Sequence, residues 1–216
     1  MWRKAAIVAA NERGINLKEF FRETLFSYYP IIVQENLKKL SELEVELNKL
    51  KQRTAHSEEE ALFFANDELP IIREIDKCSL IAIVFSALAV EAYIYDYGAR
   101  KFSDTFIQKY LDKLDVISKW VVIPQLATGQ ELSRDSQAFE LLKKLIRERN
   151  NIIHYKSSDI DPEKLPLLVE DNENYLLERA KEAYLTLEEL AKELEKIDPE
   201  EPVLRSLVSK QEFESG

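Results

Sequence analysis

Near position 150 the chain sets three side chains that can do chemistry together. Arg149, Asn150 and His154 stand in the stretch Leu145 to Asp159, LIRERNNIIHYKSSD. Histidine ordinarily titrates near neutrality, so it can take a proton from a reacting group and return it. Arginine brings a planar fork of donors that matches the oxygens of a phosphate or a carboxylate. An asparagine amide adds a donor and an acceptor. These types together point to acid–base chemistry at an anionic centre, with no metal or cofactor required. The other histidine of the chain, His56 in TAHSEEE, has glutamates nearby but not the spacing of a metal-ligand set. No glycine-rich phosphate loop, serine elbow or Cys/His pair occurs.

The element carrying these residues is a helix predicted from about Ser136 to His154. With Leu142 as the zero of a helical wheel, Ala138, Phe139, Leu145, Ile146, Ile152 and Ile153 fall within about 80° of it, and Arg149 at about −20°. The arginine is therefore inside the apolar stripe. A guanidinium placed there unpaired costs several kcal/mol, so it needs a carboxylate, a phosphate ligand, or a partner subunit that leaves a wet cleft. Glu91, which interrupts the most apolar helix of the chain, is the carboxylate the sequence offers first; Asp96 and Asp115 come behind it. Asn150 and His154 are four apart and share a flank. Arg149 and His154 are five apart, about 140° around an ideal helix. Bringing them together requires a bend, an arginine that wraps around, or a second copy of the helix. The plainer alternatives are a structural ion pair for Arg149 and a favourable helix-dipole position for His154.

The elements that must position these residues are helical throughout. Only four glycines and seven prolines occur in 216 residues, and Leu, Glu, Lys, Ala and Ile dominate. The predicted fold is all-α, an antiparallel up-and-down bundle of long helices. Residues 17–29 show helical spacing, and Pro30 suits the first turn of the next helix, where Leu37, Leu40, Leu43, Leu47 and Leu50 form a seam. Ser57 and Glu60 form a capping box, and Pro70 predicts a fresh start for a long central helix closing near Gly98. A short helix over 103–115, capped by Ser103 or Asp104, precedes a segment that Pro124 and Gly129 make either a helix ending in a loop or a loop with one helical turn. After SSDIDPEKLP a last helix begins near Asn172 with Leu176, Ala180, Ala183, Leu187, Leu190, Leu194 and Ile197 in a stripe. This divides the chain into an N-terminal helical extension (1–29), the bundle (30–196) and a tail (197–216).

Cys78 has no partner for a disulfide, which makes a reducing, cytoplasmic setting the default. CSLIAIVFSALAV is read as a core helix too short to span a bilayer, and MWRKAAIVAANERG lacks the apolar region of an export signal. The net charge of −10 argues against broad nonspecific nucleic-acid binding. The charge is uneven, however. Residues 140–156 hold Lys143, Lys144, Arg147, Arg149 and Lys156 against Glu140 and Glu148. Tyr93, Tyr95 and Tyr97 alternate along the central helix and read as packing or dimer contacts.

Arg149 and Asn150, then Asn151, Ile152, Ile153 and His154, near the end of a late bundle helix, resemble the Arg-Asn-x-x-x-His signature of HEPN domains. The resemblance covers residues 30–196 in architecture and six residues in motif. Many members of that superfamily are metal-independent RNases of toxin–antitoxin and other defence systems, with sites formed where two such helices meet across a two-fold axis. It implies catalytic positions for Arg149 and His154 and a supporting polar one for Asn150; Glu91, as the expected partner of Arg149, and Tyr155, next to the histidine, are the further polar candidates. Tyr155 follows the histidine directly; Lys156 stands where one toxin subgroup has its tyrosine. The resemblance further implies a homodimer, an RNA substrate and a possible antitoxin partner, with no cofactor; the local basic cluster makes Lys143, Lys144, Arg147 and Lys156 the RNA-binding candidates, and no membrane contact is expected. The alternative is a noncatalytic helical module for dimerisation or for binding a nucleotide or a protein.

Overall fold

The longest helix, α2, spans Glu58–Lys101 and is the hub on which the other elements pack. The structure, a computed structural model, describes residues 27–155 and 174–201. The expected extension before residue 27, the SSDIDPEKLP segment with Lys156, and the tail after Glu201 lie outside the described residues.

Six α-helices make up the described part: α1 (Tyr28–Lys51), α2, α3 (Asp104–Phe106, running on as a π-turn over Ile107–Leu111), α4 (Val116–Thr128), α5 (Gln137–Ile153) and α6 (Tyr175–Ile197). The fold is an all-α bundle. α1 and α2 form an antiparallel hairpin, with Tyr29 edge-on to Phe85 at one end and Arg53 paired with Asp67 at 2.7 Å at the other. α5 runs antiparallel to α6, Lys144 meeting Glu182 and Glu148 meeting Tyr175. α2 and α6 share a direction: Ile75 and Leu177 line one cavity near their beginnings, and Tyr97 bonds Asp198 near their ends.

Ser57 starts α2 by accepting the Glu60 N–H at 3.2 Å, and the Glu60 carboxylate reaches back to the His56 N–H at 2.7 Å. Where the sequence predicts a break, α2 runs straight through Pro70. Proline removes the N–H that would bond the Asn66 carbonyl. Both residues are exposed, so water can take that carbonyl and the helix tolerates the loss. Gly98 likewise does not close the helix; Phe102 is the C-cap. A Cβ at Gly98 would lie 2.8 Å from Ile107 Cδ1 and 2.9 Å from Ile123 Cγ2, so glycine is there to let α3 and α4 approach.

Ile83, Val90, Tyr93, Ile94 and Tyr97 of α2 are essentially inaccessible. Trp120 of α4 stacks on Tyr93 at 5.9 Å and donates its indole N–H to the Val90 carbonyl at 3.1 Å, using that oxygen's second lone pair. The expected α6 stripe is buried at Ala180, Ala183, Leu187, Leu190 and Leu194, whereas Leu176 and Ile197 are half-buried and Leu177 takes the buried place at the start of the helix. α2 also contains an apolar window long enough to cross a membrane by length and composition, contrary to the shorter run expected, but 56% of that window is buried inside the protein.

The end of α2 is fastened to the residues after α6. Tyr97 donates to Asp198 at 2.7 Å, and Lys101 pairs with the same carboxylate at 2.6 Å. Arg100 bridges Asp96 at 2.8 Å and Glu201 at 2.6 Å. Asp96, Asp198 and Glu201 are all buried, so the packed structure continues through Glu201, past the boundary expected at 196.

Candidate functional site

Ser136 caps α5 by accepting the Phe139 N–H at 3.3 Å. Ala138, Phe139, Leu142, Leu145 and Ile146 then fill the core side of the helix, as its spacing predicts. The stripe loosens its hold on the core in the last turn, where Ile152 still packs against it. Ile152 is half-buried, whereas Ile153 is 54% exposed despite lying near the middle of the stripe. α5 has run past the surface it packs on.

Arg149 occupies the transition. Its side chain is 19% exposed, and Nη2 donates to Glu91 Oε2 at 3.1 Å, so Glu91 is the counter-charge. Asp96 and Asp115 have other work. Asp96 holds Arg100, while Asp115 caps α4 by accepting the Ser118 N–H at 3.0 Å and hydroxyl at 2.6 Å. The bonds from Ser118 keep the Asp115 carboxyl below the usual range. Glu91 satisfies only one nitrogen of Arg149. Nε is buried and has no hydrogen-bond acceptor among the described residues. The Glu91 side chain is 42% exposed, so the pair is half-wetted and its attraction is screened.

His154 is the C-cap of α5; its N–H bonds the Asn150 carbonyl at 2.9 Å, and its side chain is exposed. Asn150 is exposed too, and Tyr155 is 79% exposed. α5 is regular to Ile153, so no bend closes the gap between Arg149 and His154, and the guanidinium turns inward to Glu91. Within one chain, no side-chain hydrogen bond joins Arg149, Asn150 and His154 among the described residues.

The expected RNA-binding cations lie one to two turns earlier. Lys143, Lys144 and Arg147 line an open cavity of about 420 Å³ with Gln137, Glu140 and Leu141. Each has a carboxylate nearby: Lys143 with Glu140 at 2.7 Å, Lys144 with Glu182 at 2.8 Å, Arg147 with Glu148 at 3.6 Å. Lys156 lies outside the described residues.

Glu148 is a functional candidate that the sequence reading passed over. It is buried, next to Arg149, and accepts the Tyr175 hydroxyl at 2.7 Å. Burial first, and then the hydrogen bond to Glu148, push the Tyr175 phenol above its ordinary value. This bond ties the end of α5 to the start of α6. No local signal could have found it, because the two residues lie on different helices. Tyr93 and Tyr97, in contrast, are packing residues as expected, and hydrogen-bond to Glu201 and Asp198. Comparison with protein families, with curated proteins and with solved structures finds no match.

Proposed function

We propose that this chain is a HEPN-like, metal-independent endoribonuclease, working as a homodimer and serving as a toxin or defence effector. The observation that carries the reading is Arg149, a guanidinium held inside an apolar stripe by one half-wetted carboxylate, with its buried Nε left without an acceptor among the described residues. A purely structural arginine is ordinarily saturated by its partners. One that keeps donors in reserve at a wet edge can offer them to a phosphate. The exposed His154 further along the same helix end supplies an imidazole that can accept and return a proton.

In the proposed reaction His154 takes the proton of an RNA 2′-hydroxyl. The 2′-oxygen attacks the adjacent phosphorus, and the bond to the 5′-oxygen breaks. That oxygen takes a proton from water, and the hydroxide left takes back the one on His154, leaving a 2′,3′-cyclic phosphate and a free 5′-hydroxyl. Arg149 stabilises the charge that builds on the phosphoryl oxygens. The unbent α5 keeps the two residues on different sides of one helix, so the working pair is Arg149 of one protomer and the partner's His154. Asn150 and Tyr155, on the same exposed end, are placed to contact nucleotide, and Glu91 and Glu148 hold α5 and its arginine in place.

The test is incubation of the purified chain with labelled RNA in EDTA, with analysis of product ends and of mass in solution. Cyclic phosphate ends from a dimer, lost in both His154→Ala and Arg149→Ala, support the reading; undiminished cleavage by both variants refutes it. A second reading, a noncatalytic module that binds a protein or nucleotide, draws on the carboxylates beside Lys143, Lys144 and Arg147 and on the net charge of −10.

A further inference from the structure

A second cavity, of about 300 Å³, lies away from Arg149 and His154, where three helices converge. Each helix presents one face to it at helical spacing: Glu44, Leu47, Asn48 and Lys51 from α1, Ile72, Ile75 and Asp76 from α2, and Asn174, Leu177, Glu178 and Lys181 from α6. Leu47, Ile75 and Leu177 are buried and form an apolar floor. This size is at the lower end of small-molecule sites, roughly 300–1,000 Å³.

The charges around this floor do not balance locally. Lys181 is neutralised by Glu44 at 2.8 Å, and Lys51 has a partner of its own. Asp76, on the α2 wall, and Glu178, on the α6 wall, make no ion pair or side-chain hydrogen bond among the described residues. Asp76 is half-buried, and burial pushes its carboxyl above the ordinary range. A carboxylate held out of water with no counter-charge is costly, and a cation entering the cavity removes that cost. A metal ion is a poor fit, because no group of three ligating side chains with metal-site spacing occurs among the described residues. Half-buried Asp76 and exposed Glu178, on different helices that also supply an aliphatic floor, match an organic cation with charged ends and an apolar middle.

We infer that this cavity binds a free aliphatic diamine, one ammonium at Asp76, the other at Glu178, and the methylene chain on Leu47, Ile75 and Leu177. The inference is independent of the ribonuclease proposal. The same alkylammonium chemistry could be offered by a lysine side chain of another protein, and the test separates the two.

Calorimetric titration of the full chain with cadaverine should give saturable binding, with no binding of the neutral pentanediol or of glutarate. Asp76→Asn should weaken cadaverine binding by about tenfold or more, the equivalent of about 1.4 kcal/mol. Glu46→Gln, which removes an exposed charge from α1 outside the cavity, should leave the affinity unchanged. Asp76→Asn should also keep or raise the thermal midpoint, since it replaces an unpartnered carboxylate with a neutral amide of the same shape, so weaker binding cannot be ascribed to lost folding. Absence of binding to the parent chain, equal affinity for pentanediol, or undiminished affinity in Asp76→Asn would overturn the inference. Tighter binding of Nα-acetyl-lysine amide than of cadaverine would overturn the free-diamine assignment in favour of a protein lysine.

Discussion

Arg100 and Arg149 each reach from a helix into the bundle, and they are held in different ways. Arg100 spans two buried carboxylates, Asp96 and Glu201, and the neighbouring Tyr97, Lys101 and Asp198 form a second set of bonds beside it. Among the described residues Arg149 has Glu91 alone, through one nitrogen. The first arrangement fastens two chain segments a hundred residues apart and has few donors left to give. The second holds a charge at the edge of the core without saturating it. An arginine whose partners are complete reads as structural. One that is under-supplied beside an exposed histidine reads as a place where something else is meant to bind.

The sharpest way to break this contrast is to measure activity and stability in the same variants. His154→Ala should lower RNA cleavage in EDTA by about 10²-fold or more, the usual contribution of an acid–base group, with thermal stability unchanged. Arg149→Ala should lower cleavage comparably and cost about 1 kcal/mol or less, because its ion pair with Glu91 is half-wetted. In Arg100→Ala the emphasis reverses. Removing the cation strands Asp96 and Glu201 in the interior and should cost about 3 kcal/mol in denaturant unfolding, and the structure gives Arg100 no contact with the candidate site. Equal stability losses for the two arginines would erase the distinction.

Gly98→Ala probes the closed region without touching its charges. The added methyl meets Ile107 and Ile123 below 3.0 Å and should cost about 1–3 kcal/mol by overpacking, read from the same unfolding curves. The smallest expected effect is a pH dependence. Burial opposes the Asp198 charge, but hydrogen bonds from Lys101 and Tyr97 outweigh it and hold the carboxyl below its ordinary value. A group lowered in the folded state stabilises above its unfolded value, about 3.9, and that contribution disappears as pH falls through the folded one. Asp198→Asn should therefore flatten the loss of thermal stability on acidification below about pH 4.

The bundle and most of α5 were legible because helical spacing acts locally: Ser136 as cap, the Leu142 stripe, and Arg149 inside it all follow from residues a turn or two apart. Glu91 could be named as partner because a carboxylate on an otherwise apolar helix demands a counter-charge. The Tyr175–Glu148 bond and the Asp198–Glu201 fastening depend on contacts between distant segments, which no spacing rule exposes. Pro70 and Gly98 misled for a related reason. Each carries a strong local meaning, break or cap, and each was overridden by its surroundings, water at one and close neighbours at the other.

The unbroken passage of α2 through Pro70 has a dynamic corollary. The missing amide leaves one rung out of the hydrogen-bond ladder, and the turns before it carry Leu62 and Phe63, both more than half exposed, with little core contact to compensate. Opening of those turns stops at the gap instead of propagating. The rod thus behaves as two segments in series, an outer one whose amides exchange readily with solvent and an inner one that opens only with the whole molecule.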